Sequence, residues 1–160
     1  MIQSNPMHPK RTGQSVEAAV INAEPALDSV SDRENHAWDA LTTAAMSPTL
    51  DRPFGGICVV ESNTPVEIKG CIPETSNGSG TVPGRWYIKR ESHDQLATEG
   101  GVYWLTVYAP RPETPILSQL VVPAATVGDF LDGSWYDNGR RTVAKLTWTR
   151  VLNSKDLSAN

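Results

Sequence analysis

The chain has 160 residues, 39% of them apolar, which suits one domain with a core of its own. Its 18 acidic and 14 basic residues leave a net charge of −4, which excludes a global basic field that recruits nucleic acid; any such contact has to be local. No apolar run reaches the length of a membrane span, the opening MIQSNPMHPKR lacks the apolar stretch of a signal peptide, and Cys58 and Cys71 form no zinc-type cluster with histidine, so a cytoplasmic protein with free thiols and no membrane contact is expected.

Residues 1–12 are polar, with Pro6 and Pro9, and read as a disordered start to a single domain over residues 13–152. From Gly13 the run QSVEAAVINAE predicts a helix with Ser15 near its N-cap, Val16, Ala19 and Val20 on one side, and Pro25 at its end. A second helix is predicted from Ser31 to Ala45, with Trp38 and Leu41 on its apolar stripe. MSPTLDRPFGG is loop. Two apolar runs, Ile57–Val60 and Pro65–Ile72, then flank Ser62-Asn63-Thr64 and predict a β-hairpin.

After the hairpin, Pro73–Pro83 reads as a flexible polar loop. Strands are predicted over Arg85–Lys89, Val102–Tyr108, Ile116–Val122 and Val143–Val151, with a short helix over Glu91–Thr98 and a helical turn over Ala124–Leu131. The apolar run VYWLTVY suits a central strand covered on both faces. The tail over residues 153–160 is expected to fray. An α/β fold with a mixed central β-sheet flanked by helices follows.

The chemistry concentrates on the second hairpin run. Strand alternation puts Glu67, Lys69 and Cys71 on one face and Val66 and Ile68 on the other, in the core. Phosphodiester hydrolysis needs hard oxygen ligands for a divalent cation and a cation near the attacked phosphate, and a Glu and a Lys two apart on one strand face supply both. The plain alternative is a solvated ion pair between i and i+2. For His93, in RESHDQL, the plain reading is a helix-surface histidine.

In this pattern the chain resembles the PD-(D/E)XK nuclease superfamily, which includes restriction enzymes and archaeal Holliday-junction resolvases. The resemblance rests on GQSVEAAV with Glu17 on the first helix, the hairpin GGICVVESNTPVEIKGC, and the triplet Glu67-Ile68-Lys69. It implies a restriction-endonuclease-like core: a helix with a glutamate, then a hairpin whose first strand carries an aspartate near its start and whose second carries the triplet. The implied activity is Mg²⁺-dependent hydrolysis of DNA, with Glu67, Lys69, Glu17 and one further acid as catalytic residues, and a homodimer by analogy. The further acid is open. With a two-residue turn, Gly56, Cys58 and Val60 share the face of Glu67 and none is acidic. Asp51, in the loop feeding the strand, is the preferred second metal ligand beside Glu67, with Glu61 as the alternative. Arg85, Lys89 and Arg90, interleaved with Trp86 and Tyr87, are candidates for contact with the nucleic-acid backbone. Two other readings stand beside this one: a nuclease fold without activity that binds nucleic acid or a protein partner, and an unrelated β-rich interaction module.

Overall fold

A computed structural model describes residues 9–30 and 38–153. The expected disorder over residues 1–8, the predicted helix over 31–37 and the tail over 154–160 lie outside the described residues. The first helix, α1 (Pro9–Ala23), starts earlier than its sequence signals suggest. Proline fits a first helical turn, where its missing N–H has no partner to lose, so Ser15 lies inside the helix and not at its cap. Val16 and Val20, one turn apart, bury the face that α1 lays on the sheet.

The central sheet has five strands in the order β1-β2-β3-β7-β8. β1 (Leu27–Ser29), β2 (Ala40–Thr42) and β3 (Pro65–Cys71) form an antiparallel meander. β7 (Val102–Tyr108) lies parallel to β3, and β8 (Ile116–Pro123) is antiparallel to β7. All seven residues of β7 are buried, as its sequence implies for a strand covered on both faces. The parallel pair β3/β7 needs a crossover. It runs through a small hairpin, β4 (Glu74–Ser76) and β5 (Thr81–Pro83), then β6 (Arg85–Lys89) and α2 (Arg90–Thr98).

Two cores result, one on each face. On one face α1 packs over Val66, Ile68, Val102, Trp104 and Val121. Gly70 permits the close fit, since a Cβ there would lie 3.1 Å from Val16 and 3.0 Å from Tyr108. On the other face Cys71, Tyr103, Leu105, Val107 and Val122 meet a second layer. That layer comprises α2, α3 (Ala124–Leu131) and a three-stranded sheet in the order β6-β10-β9, formed with β9 (Tyr136–Asp137) and β10 (Thr142–Thr147). Trp86 and Ile88 of β6, with Ala144 and Leu146 of β10, supply its inner face.

Three local expectations are corrected. Residues 40–42 are strand, not helix, because pairing on both sides overrides the helical propensity of Ala and Leu. The strand partner of β3 is β2, not Ile57–Val60, of which only Val60 makes a bridge, to Met46. The turn before β3 does form, with Asn63 in the left-handed region at φ 64°. Pro73–Pro83 holds the β4/β5 hairpin, closed by the Asn77 N–H on the Gly80 carbonyl at 3.1 Å. No helix among the described residues is long and apolar enough to cross a membrane. Both cysteines are free thiols, Cys58 exposed and Cys71 buried.

Candidate active site

β3 places its residues as the alternation requires. Val66 and Ile68 are buried against α1, and Glu67 and Lys69 turn to the opposite face. There Lys69 Nζ lies 3.4 Å from Glu67 Oε2, with the two side chains only 23% and 15% exposed. A solvated ion pair does not fit that burial.

The surroundings of Glu67 are polar and enclosed. Tyr103 of β7 stands level with it across the parallel pair. The Tyr103 hydroxyl and His93 Nδ1 share a hydrogen bond of 2.9 Å, and the two rings stack with centroids 5.8 Å apart. His93 is therefore a buried residue of α2 and not a surface histidine. Burial holds its pKa below the ordinary histidine value. Burial pushes the Tyr103 phenol up, and the negative charge of Glu67 adds to that, so a neutral hydroxyl sits beside the carboxylate. Lys89, where β6 passes into α2, belongs to the same electrostatic neighbourhood. Its pKa is held down by partial desolvation, then by the charges of Arg141 and Lys69, with Glu67 opposing.

A buried acid that the sequence pattern does not single out, Asp39, lies beside the triplet strand. It immediately precedes β2 and is 6% exposed. Its N–H donates to the Val66 carbonyl at 3.0 Å, and its carbonyl accepts the Val30 N–H at 2.9 Å. Its Oδ2 accepts the Ile68 N–H at 2.8 Å, so the carboxylate takes the place that a further β2 residue would fill beside β3. That N–H belongs to the peptide joining Glu67 to Ile68, which brings the carboxylate to the backbone of the triplet itself. On the α1 side Asp39 lines a cavity of about 420 Å³ with Glu17, Ile21 and Val30. Glu17, half-buried on α1, meets Asp39 at this cavity, on the face of β3 opposite to the one that carries Glu67 and Lys69, so the structure does not bring it to the triplet side chains.

Asp51 is not brought to Glu67. It is exposed, and its carbonyl accepts a hydrogen bond from Gln119 Nε2 of β8 at 3.0 Å. Residues 53–55 pair with β8, so Asp51 lies at the far edge of the sheet, with β7 and β8 between it and β3. Glu61 is exposed in the turn before β3, where its carbonyl accepts the hydroxyls of Thr42 at 2.6 Å and Thr64 at 2.7 Å. Arg85 and Lys89 are exposed on the outer face of β6. Arg90 opens α2, with its guanidinium 5.2 Å from the centre of the Trp135 ring. Among the described residues, no three His, Cys, Asp or Glu side chains form a group that could by itself hold a metal ion.

A family model described as a PD-(D/E)XK nuclease superfamily domain matches residues 3–153. The chain belongs to that superfamily. No curated protein and no solved structure matches it significantly. The observed order of a helix with Glu17, the β1-β2-β3 meander with the triplet on its last strand, and then α2 and β7 is consistent with a PD-(D/E)XK nuclease fold. In this member the strand antiparallel to the triplet strand is β2, and the acid at its start is Asp39. The sequence signal for it is weak. A three-residue strand shows no periodicity, and WDALTTAA reads as helix.

Proposed function

We propose that this protein is a metal-dependent nuclease that hydrolyses phosphodiester bonds of DNA at a site formed by Asp39, Glu67 and Lys69. The observation that carries this reading is the hydrogen bond from the Ile68 N–H to the Asp39 carboxylate, which ties an acid at the start of one strand to the Glu-x-Lys triplet of the next. Asp39 takes the role that the sequence alone gave to Asp51.

Nucleases of this superfamily usually use a divalent metal ion. The donor set suits Mg²⁺, a hard cation bound through one or two carboxylates together with waters and substrate phosphate oxygens, so a three-acid cage is not required. Asp39 and Glu67 would hold it. When bound, the ion supplies charge stabilisation at the phosphorus and lowers the pKa of water.

The chain's own groups do the rest. Lys69 Nζ, held at 3.4 Å from Glu67, can donate to a non-bridging phosphate oxygen as negative charge grows there during attack. Water adds to phosphorus, one P–O bond to the sugar breaks, and the departing oxygen takes up a proton. The packed β7 strand and the neutral Tyr103–His93 pair keep the floor beside Glu67 rigid, which fixes its carboxylate against the cost of reorganisation.

Incubation with single-stranded, duplex and branched DNA in the presence of Mg²⁺ tests this. Cleavage of at least one form is expected, lost in EDTA and in Glu67→Gln. Absence of cleavage on every form, with no metal binding, refutes it. A second reading, a nuclease fold that binds nucleic acid without cutting it, is favoured by the Glu67–Lys69 ion pair, in which the acid already has a cationic partner. Intact DNA binding by a wild-type protein that never cleaves would select that reading.

A further inference from the structure

The outer face of the small sheet is unlike the rest of this acidic chain. On β6 the alternation buries Trp86 and Ile88 and leaves Arg85, Tyr87 and Lys89 facing out. Register extends the face across the sheet: Lys89 and Tyr136 flank the fully buried Val143 in one row, Tyr87 and Lys145 form the next, and Arg85 and Thr147 the last. Rows are about 7 Å apart and neighbouring strands about 4.8 Å apart. None of these outward strand positions is acidic, although the chain carries a net charge of −4. Arg141, in the turn between β9 and β10, adds its charge beside Lys89.

Two aromatic rings sit among these cations. Tyr87 is 38% and Tyr136 43% exposed, two of the few large apolar side chains left open to solvent. Tyr87 is held in place, because its hydroxyl accepts a hydrogen bond from Asn138 Nδ2 at 2.9 Å. A rigid exposed ring loses little freedom when a flat partner stacks on it. One end of the face comes close to the proposed site. Lys89 stands at its end, within electrostatic reach of Glu67 and Lys69, and β6 packs against β3.

We propose that the outer face of β6-β10-β9 binds a single strand of nucleic acid, with phosphates on Arg85, Lys89, Lys145 and Arg141 and bases stacked on Tyr87 and Tyr136, and leads that strand to Glu67 and Lys69. This deepens the nuclease reading and rests on it for the direction of the path. The choice of an unpaired strand follows from the rings: a duplex shows cations its phosphates but offers no open base face to a tyrosine. Cations alone would serve any polyanion. Cations alternating with open rings serve a chain that alternates phosphates with flat bases.

Fluorescence anisotropy with the full chain in EDTA tests binding without cleavage, using a labelled oligothymidylate of about 15 nucleotides, near the upper site size of comparable single-strand binders, and a blunt duplex of equal length. The wild-type protein should bind the single strand more tightly than the duplex. The double substitution Tyr87→Ala with Tyr136→Ala should weaken single-strand binding about tenfold or more and leave its salt dependence unchanged. Tyr87→Phe with Tyr136→Phe, which keeps the rings, should restore it. Arg85→Ala with Lys145→Ala should lower the slope of log K against log salt by about 1.4, two phosphate contacts on a single strand. Binding by both alanine pairs at wild-type strength overturns the proposal, as does equal loss in the phenylalanine and alanine variants. Cleavage that persists while the face variants bind normally overturns this inference alone. Binding that follows the expected pattern in a protein that never cleaves supports the face and overturns the nuclease reading instead.

Discussion

Replacing Asp39 separates its chemical role from its structural one. Asp39→Asn keeps an oxygen where Oδ2 accepts the Ile68 N–H at 2.8 Å but removes the charge. A hydrogen bond to a charged group contributes about 1.5–3 kcal/mol and a neutral one about 0.5–1.5, so the amide should cost about 1 kcal/mol of stability. In a chain of this size that lowers Tm by about 2–4 °C. Asp39→Ala goes further, because it strands the Ile68 N–H in a buried position, where Ile68 is 3% exposed. An orphaned buried donor costs about 1–3 kcal/mol. Both variants should lose Mg²⁺-dependent cleavage, the asparagine variant while still folded. Asp51→Asn should change neither quantity, since only the backbone carbonyl of that exposed residue is engaged. Thermal unfolding and a cleavage time course on the same preparations give both readings. A folded Asp39→Asn protein that cleaves at the wild-type rate, or an Asp51→Asn protein that does not cleave, refutes the reasoning.

Three further outcomes follow from particular contacts. Lys69→Ala should reduce turnover about 10²–10³-fold, the usual cost of one donor to a developing charge, while metal affinity measured by titration calorimetry stays near wild type. His93 has a folded pKa below its ordinary 6.5 because it is buried, so between those two values the unfolded chain binds a proton that the native one does not. Urea stability should therefore fall as pH drops below about 6.5, and His93→Gln should flatten that dependence. Gly84→Ala should be severely destabilising, about 3 kcal/mol or more by urea unfolding, because a Cβ there would lie 1.8 Å from the Ile72 carbonyl oxygen.

The parts of the fold that were legible in the sequence are those where one physical signal dominates. VYWLTVY is buried throughout and could only be a central strand. RWYIK alternates cleanly and forms β6 over Arg85–Lys89. The face of Glu67 and Lys69 follows from the pleat alone and holds. The reading failed where long-range pairing decides. β2 is three residues long, too short for a period, and its neighbours favour helix, so Asp39 was hidden inside an apparent helix. Because β2 and β3 are separated by residues 43–64, the strand that pairs with β3 is not the one a tight hairpin would supply. His93 failed for a related reason. Its helix is amphipathic, but its partner Tyr103 comes from β7, and only the crossover brings the two together.

The most direct test of the site is calorimetric titration of Mg²⁺ into the protein bound to a non-hydrolysable phosphorothioate DNA, repeated with Asp39→Asn and Glu67→Gln. A binding event in the wild-type complex that is lost in both variants and retained in Asp51→Asn is the expected result. No binding by the wild-type complex, or undiminished binding by Asp39→Asn, would contradict a metal centre shared by Asp39 and Glu67.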